Sequence, residues 1–341
     1  MKRKMTIQEI ARLAGVSKAT VSRVLNNRGG VSPETRRKVE EVIRLHSYTP
    51  NLVARGLSLK KTGSIGLIVA HTAERLSSHL FFIEFLRGIS AVLDKRGFRL
   101  ILAPAESEDR YETSCRTMAE GGVVDGVVVL GVRRNDKRLR YFLRAGIPVV
   151  TVGRPIGFPK VDYVDADNTG GARVATEYLL RLGHGEVLFI NGPRDHTASL
   201  AREKGYRQAF KAMGRELDED LIVYGDFSFE SGYETVRGFL ARGKSLSAVF
   251  AASDLAAMGA ITAFKEAGIR VGHEVSVIGF DDIPYAHFFD PPLTTVRQPI
   301  YEMGKEAGRI LLLRLEGEAG PGRLHKTFPT QLIVRESTIR S

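Results

Sequence analysis

Two hydrophobic periods divide this chain. Up to about residue 46, apolar positions recur every three or four residues: Ile7, Ile10, Ala11 and Ala14, then a short run to Leu25, then Val39, Val42 and Leu45. That spacing puts each set on one helical face. Thr6-Ile7-Gln8-Glu9 forms a capping box, and Gly15 falls where the first helix should end. Ser17 is placed to cap a second helix, and Ser32-Pro33-Glu34-Thr35 starts a third. Two short helices joined by a tight glycine-containing turn, with a third to close over them, predict a helix-turn-helix unit.

From Ser64 the period changes. Continuous Val/Ile/Leu runs appear at 65–70, 98–103, 124–131, 147–153, 186–191, 221–225, 247–253 and 275–280. Helical stretches separate many of them: Phe81–Arg96, Thr169–Leu182, Ala198–Met213, Phe229–Ala241 and Leu255–Ala267. Unbroken apolar strands alternating with helices predict parallel sheets covered on both faces. Two successive series imply two doubly wound lobes, so the fold class is α/β behind a helical N-terminal module. Beyond Pro291 a further strand, a helix near Ile300–Leu315 and a last strand near Phe328–Val334 complete the chain.

Charge adds a partner to this outline. Residues 1–62 hold 14 Lys or Arg against 4 acids, +10 of a total of +11 over 341 residues. Concentrated in the helical module, that charge is the footprint of a phosphate-binding surface. The second helix would present Lys18, Ala19 and Arg23 to base edges. Lys and Arg can donate to guanine N7 and O6, and Ala can touch a thymine methyl. Thr20, Ser22 and Asn26 would hold phosphates, which fixes register rather than sequence.

The run GVSKATVSRVLNNRGGVSPETRRKV, followed by YTPNLVARGLS, closely resembles the DNA-binding headpiece of the lactose-repressor (LacI) family of transcription regulators. The resemblance adds Thr6, Ser17, Asn51, Ala54 and Arg55 to the expected DNA contacts. It implies that Asn51–Leu57, within a hinge-and-linker segment over 50–63, forms a hinge helix lying in the minor groove, with Leu57 wedged into a base step. Gly56 departs from the better helix former usual there. The family also implies a periplasmic-binding-protein-like core whose chain crosses between lobes near 162, 291 and 323. The expected domains are therefore 1–49, the hinge 50–63, an N-terminal lobe of 64–162 with 292–322, and a C-terminal lobe of 163–291 with 323–341.

Open α/β sheets bind ligands beyond the carboxyl ends of their strands. Here those ends carry Ala70, Arg133, Arg154, Asn191, Ser253, Asp254 and Asp281, acids, amides and basic groups suited to a polyhydroxyl ligand. The family resemblance selects Arg202 in SLAREKGYRQAF, Asp281 in IGFDD, Asp167 in VDADN and Phe82 in HLFFIEFLRG as effector contacts. Ser253 stands where many sugar-responsive members have Asn, and Asp254 is as readily a helix cap. The expected partners are operator DNA, a second copy of the chain and a small effector. That effector is a sugar that releases DNA or, alternatively, a purine-like corepressor that tightens binding. Without a leucine-heptad tail after Val334, a dimer is expected rather than a larger assembly.

Other classes find little support. A single Cys, Cys115, excludes an intrachain disulfide. Met1–Lys4 is basic, but no apolar stretch follows and no run approaches membrane-span length, so a soluble cytoplasmic protein is expected. Gly238–Ser245 matches the phosphate-loop pattern GxxxxGK[ST]. That motif needs a strand before and a helix after it; here the predicted order is reversed. No catalytic triad motif or metal signature occurs, so neither enzyme activity nor a cofactor or metal is expected.

Overall fold

The short Val/Ile runs become strands and the intervening amphipathic stretches become helices. A computed structural model of the protein describes residues 5–25, 29–46, 48, 62–69, 80–103 and 108–339, with the backbone alone at 103 and 108–111. The chain forms two compact units, Met1–Thr62 and Gly63–Ser341.

In the first unit, α1 (Ile7–Ala14), α2 (Lys18–Leu25) and α3 (Pro33–Leu45) follow the predicted punctuation. Thr6 and Glu9 complete the capping box, and Gly15 closes α1 in the left-handed region at φ 65°. Ser17 Oγ accepts from the Thr20 N–H at 3.0 Å, and Ser32 caps α3. Ile10, Ala14, Val21, Val24 and Val39 are buried against one another. Leu45, expected on the apolar face of α3, is 68% exposed, and Ile43 packs on this core instead.

The second unit contains two six-stranded sheets. One holds β1 (Ser64–Ile68), β2 (Arg99–Ala103), β3 (Gly126–Val129), β4 (Val149–Val152), β5 (Asp162–Ala166) and β11 (His325–Phe328), in the order β2-β1-β3-β4-β5-β11. The other holds β6 (Leu188–Asn191), β7 (Ile222–Tyr224), β8 (Ala248–Ala251), β9 (Ser276–Asp281), β10 (Thr294–Arg297) and β12 (Gln331–Ile333). Its order, β7-β6-β8-β9-β10-β12, repeats the first. All pairings are parallel except β10 with β12. In both sheets the strand order reverses beside the first strand, the switch point at which doubly wound folds open a ligand crevice.

Helices cover both faces. On the first sheet lie α4 (Leu80–Leu93), α5 (Glu108–Glu120), α6 (Lys137–Arg144) and α12 (Ile300–Glu316). On the second lie α7 (Asn168–Arg181), α8 (Thr197–Ala212), α9 (Phe229–Ala241) and α10 (Asp254–Glu266), with the short α11 (Tyr285–Phe288). The α9–α10 contact is backbone on backbone. A β-carbon at Gly232 would stand 1.9 Å from the Ala256 carbonyl oxygen, and one at Gly259 2.0 Å from that of Phe229.

Three expected boundaries shift. The crossings placed near 162, 291 and 323 fall after Ala166, Arg297 and Phe328, because β5, β10 and β11 each finish their pairing before the chain leaves the sheet. The single last strand expected over 328–334 is two. Pro329-Thr330 separates β11, parallel to β5, from β12, antiparallel to β10. β5 escaped the hydrophobic pattern because two of its five residues are acids. Asp162 is buried and bridged by Arg314 at 2.6 and 2.8 Å, so its charge is neutralised inside the fold.

Candidate functional site

The headpiece presents one polar face. Val21 and Val24 turn α2 inward, which leaves Lys18, Ala19 and Arg23 exposed and Thr20 and Ser22 at the margin. Ala19, Ser22 and Arg23 share this outer face by their three- and four-residue spacing. Thr6 and Ser17 serve as caps, with side chains at the surface. Asn26, Asn51, Ala54, Arg55 and Leu57, the remaining expected DNA contacts, lie outside the described residues, as does most of the hinge.

In the second unit the carboxyl ends of both sheets face a shared cavity of about 130 Å³. One wall is apolar: Leu80, Phe81, Phe82, Leu130, Val132, Val152 and Met303. The opposite wall carries polar groups, Asp165, Asn168, Arg202, Ser253, Asp281 and Gln298, with Phe227 among them. An apolar face opposite convergent donors and acceptors is the usual construction of a small-molecule site.

Arg202, on α8, is the centre of the polar wall. Its Nε donates to Asn168 Oδ1 at 2.8 Å, its Nη1 to the Ala252 carbonyl, and its guanidinium lies 3.8 Å from the Phe280 ring centroid. Its Nη2 is 3.8 Å from Asp281 Oδ1, which also accepts from Gln298 Nε2 at 2.6 Å. Burial lowers the Arg202 pKa from its ordinary value, opposed by the charges of Asp281, Asp165 and Asp254. Burial likewise pushes Asp165 up to about 6, against backbone N–H donors and Arg202. Asp281 is raised by burial too, and Asp254 is raised well above the ordinary range by burial and by the Asp281 charge. Arg202 therefore lies among three carboxylates, two lining the cavity and one beneath it, whose protonated forms are favoured by burial.

The expected effector residues fare differently. Phe82, Arg202, Ser253 and Asp281 all line the cavity. Ser253 is the N-cap of α10: its hydroxyl accepts from the Ala256 N–H at 3.1 Å and donates to the Phe227 carbonyl at 2.8 Å. Asp254, the alternative cap, is instead buried beneath the site. Asp167 does not line the cavity. It caps α7 through the Gly170 N–H at 2.8 Å and is exposed; Asp165 and Asn168, two residues before and one after, face inward. Arg133 is also absent from the lining, because its Nε lies 3.7 Å from Asp195. There the loop after β3 joins the loop after β6, Thr197 N–H donating to the Val132 carbonyl at 2.9 Å and Arg134 N–H to that of Asp195 at 2.8 Å. His196 in this junction has its pKa lowered to about 4, first by burial and then by Arg133, so it is neutral. Ala70 lies outside the described residues.

Asp165, Asn168, His196, Phe227 and Gln298 were missed from sequence. Recognising β5 would have found Asp165 at a strand end; Phe227 carried no comparable signal, since its left-handed φ of 67° is seen only in the fold. The phosphate-loop match lies at the end of α9, where Gly243 at φ 69° terminates the helix and Lys244 folds over the Phe239 ring. The strand β8 follows this loop, where a phosphate would require a helix N-terminus.

Comparison with known proteins follows the same division. The profile described as bacterial regulatory proteins, lacI family, matches residues 6–51, and that of a periplasmic binding protein-like domain matches residues 176–338. The HTH-type transcriptional regulator CelR of Thermobifida fusca is 41% identical over 98% of this chain and 99% of its own. A solved structure described as a CelR–cellobiose complex superposes with a TM-score of 0.77 at 38% identity, covering 98% of this chain and all of that one. The lac repressor dimer bound to operator and the anti-inducer ONPF gives a TM-score of 0.84 at 26% identity, over 99% of this chain and all of the other. Among the described residues no helix is long and apolar enough to cross a membrane. Headpiece, twin lobes and full-length similarity together establish that this chain is a transcriptional regulator belonging to the LacI family.

Proposed function

We propose that this regulator is a homodimeric repressor of a near-palindromic operator, released when a small carbohydrate binds between its lobes. The cavity carries the reading. Its Phe82 wall suits the apolar face of a pyranose, and Asp165, Asn168, Arg202, Asp281 and Gln298 supply acceptors and donors for hydroxyls. Cellobiose is the first sugar to test, because a relative's structure is described as its cellobiose complex. In this reading α2 enters the major groove, Lys18 and Arg23 read guanines, and paired hinge segments from residues 50–63 carry the lobe signal to DNA. Linkage requires that operator binding weaken sugar binding by the same factor by which sugar weakens operator binding.

The test is fluorescence anisotropy on an operator duplex selected from a random library by the protein itself. Cellobiose should release the duplex, and affinity should fall steeply with salt, as expected when a headpiece of charge +10 displaces counterions. Release by no sugar, with tightening by a purine, would reverse the assignment to a corepressor-dependent protein.

A further inference from the structure

Asp254 does not touch the cavity, yet the turn that delivers Asp281 to it is fastened to this one carboxylate. Asp254 sits at the start of α10 with no solvent exposure. Its Oδ2 accepts from the Ile283 N–H at 2.8 Å, and its Oδ1 accepts from the Thr295 hydroxyl on β10. From the last residue of β9 toward Ile283 the backbone passes through two consecutive non-glycine residues at positive φ, Asp281 at 125° and Asp282 at 58°. Side chains rarely adopt that conformation, and it persists only where its surroundings over-determine it.

Three fasteners do so here. Asp282 is drawn away from the cavity by Arg335 at 2.6 Å and Arg297 at 2.5 Å. Asp281 Oδ1 is held by Gln298, which leaves Oδ2 for a ligand hydroxyl. Asp254 pins the far end of the turn. The β9 residue beneath it must be glycine, since a β-carbon at Gly279 would stand 2.3 Å from Asp254 Oδ1. From this geometry we infer that Asp254 is a positioning residue for effector binding, holding the 281–283 turn so that Asp281 rather than Asp282 faces the ligand.

The inference rests on the proposed sugar reading, and its test separates the two. Isothermal titration of the full-length protein with cellobiose compares Asp254→Ala, Asp281→Ala and the double variant. Each single variant should weaken binding about tenfold or more, the scale of one lost charge-assisted hydrogen bond. The double should be scarcely weaker than either single, because both act through one contact. Asp254→Asn should recover most of the affinity, since its amide oxygen still accepts from Ile283 and its NH₂ can donate to Thr295. Hydrogen exchange without ligand should show lost protection over residues 281–285 in Asp254→Ala and little change elsewhere.

Wild-type affinity in Asp254→Ala, or additive losses in the double variant, overturns the positioning role while leaving the sugar reading intact. Wild-type affinity in Asp281→Ala removes the contact that Asp254 is argued to position and so overturns the inference, while the sugar reading stands. If cellobiose does not bind the unaltered protein, cellobiose falls as the effector, and unchanged exchange over 281–285 in Asp254→Ala would then overturn the hold itself. Should Asp254→Ala not fold, Thr295→Val removes the hydroxyl that holds Asp254 Oδ1 with little change of shape. It is expected to weaken cellobiose several-fold, and wild-type binding would count against the inference.

Discussion

Arg202→Met tests the centre of the polar wall. The substitution keeps an unbranched stem over Phe280 but removes the guanidinium from among Asp165, Asp254 and Asp281. Breaking a buried ionic group by deleting one partner costs about 3–5 kcal/mol when the other charge must stay. Here it need not stay. Burial pushes Asp165 up to about 6 even with Arg202 beside it, so without that charge it can take up a proton at pH 7.5 for at most about 2 kcal/mol, at about 1.36 kcal/mol per unit. The lost bonds to Asn168 and the Ala252 carbonyl add roughly 1 kcal/mol. The expected loss is therefore about 3 kcal/mol at pH 7.5, or roughly 5 °C in the melting temperature of the Gly63–Ser341 unit by the usual entropy scaling. The sign with pH follows from the raised carboxyl: below about 6 it is already protonated, so the loss should shrink toward roughly 1 kcal/mol at pH 5. Differential scanning calorimetry at both pH values, with and without cellobiose, reads both quantities. At 100 times Kd the sugar should stabilise the unaltered protein by about 2.7 kcal/mol, and a variant weakened a hundredfold by only about 0.4 kcal/mol. A full sugar shift in Arg202→Met, or an equal thermal loss at both pH values, would refute the assigned role.

Three further outcomes are expected. Arg23→Ala should relax base preference at one operator position at a cost of roughly 1–3 kcal/mol, read by binding to a panel of single-base variants; uniform weakening would mark a phosphate contact instead. Hydroxyl donation favours ionised Asp165, so cellobiose affinity should fall from pH 7 to pH 5 and binding near pH 6 should release protons. Titration calorimetry in two buffers of different ionisation heat measures this, and equal heats would exclude Asp165 as an acceptor. Gly232→Ala drives a β-carbon to 1.9 Å from the Ala256 carbonyl oxygen, so α9 and α10 must part. The thermal midpoint should drop by an amount equivalent to about 1–3 kcal/mol, and an unchanged midpoint would show that this contact yields without cost.

The three headpiece helices, their caps and the concentration of positive charge were legible in the sequence, because helix periodicity, capping chemistry and charge are local properties. The same holds for the Val/Ile strands, whose unbroken apolar runs reflect burial on two faces. Arg202, Phe82, Ser253 and Asp281 came to the cavity because strand and helix ends converge wherever such sheets are wound, and the family resemblance pointed to the same positions. Tertiary structure decided what local pattern could not. Asp162 hides a strand because its charge is cancelled by Arg314, 152 residues away. Asp167 yields its place to Asp165 and Asn168 because one carboxylate was needed to cap α7 and the chain turned the others inward. Arg133 is drawn to Asp195 by a junction between loops of different lobes. Which of the adjacent acids Asp281 and Asp282 faces the cavity depends on backbone angles and on Arg297, Arg335 and Asp254, groups far apart in sequence that meet only once the second lobe is folded.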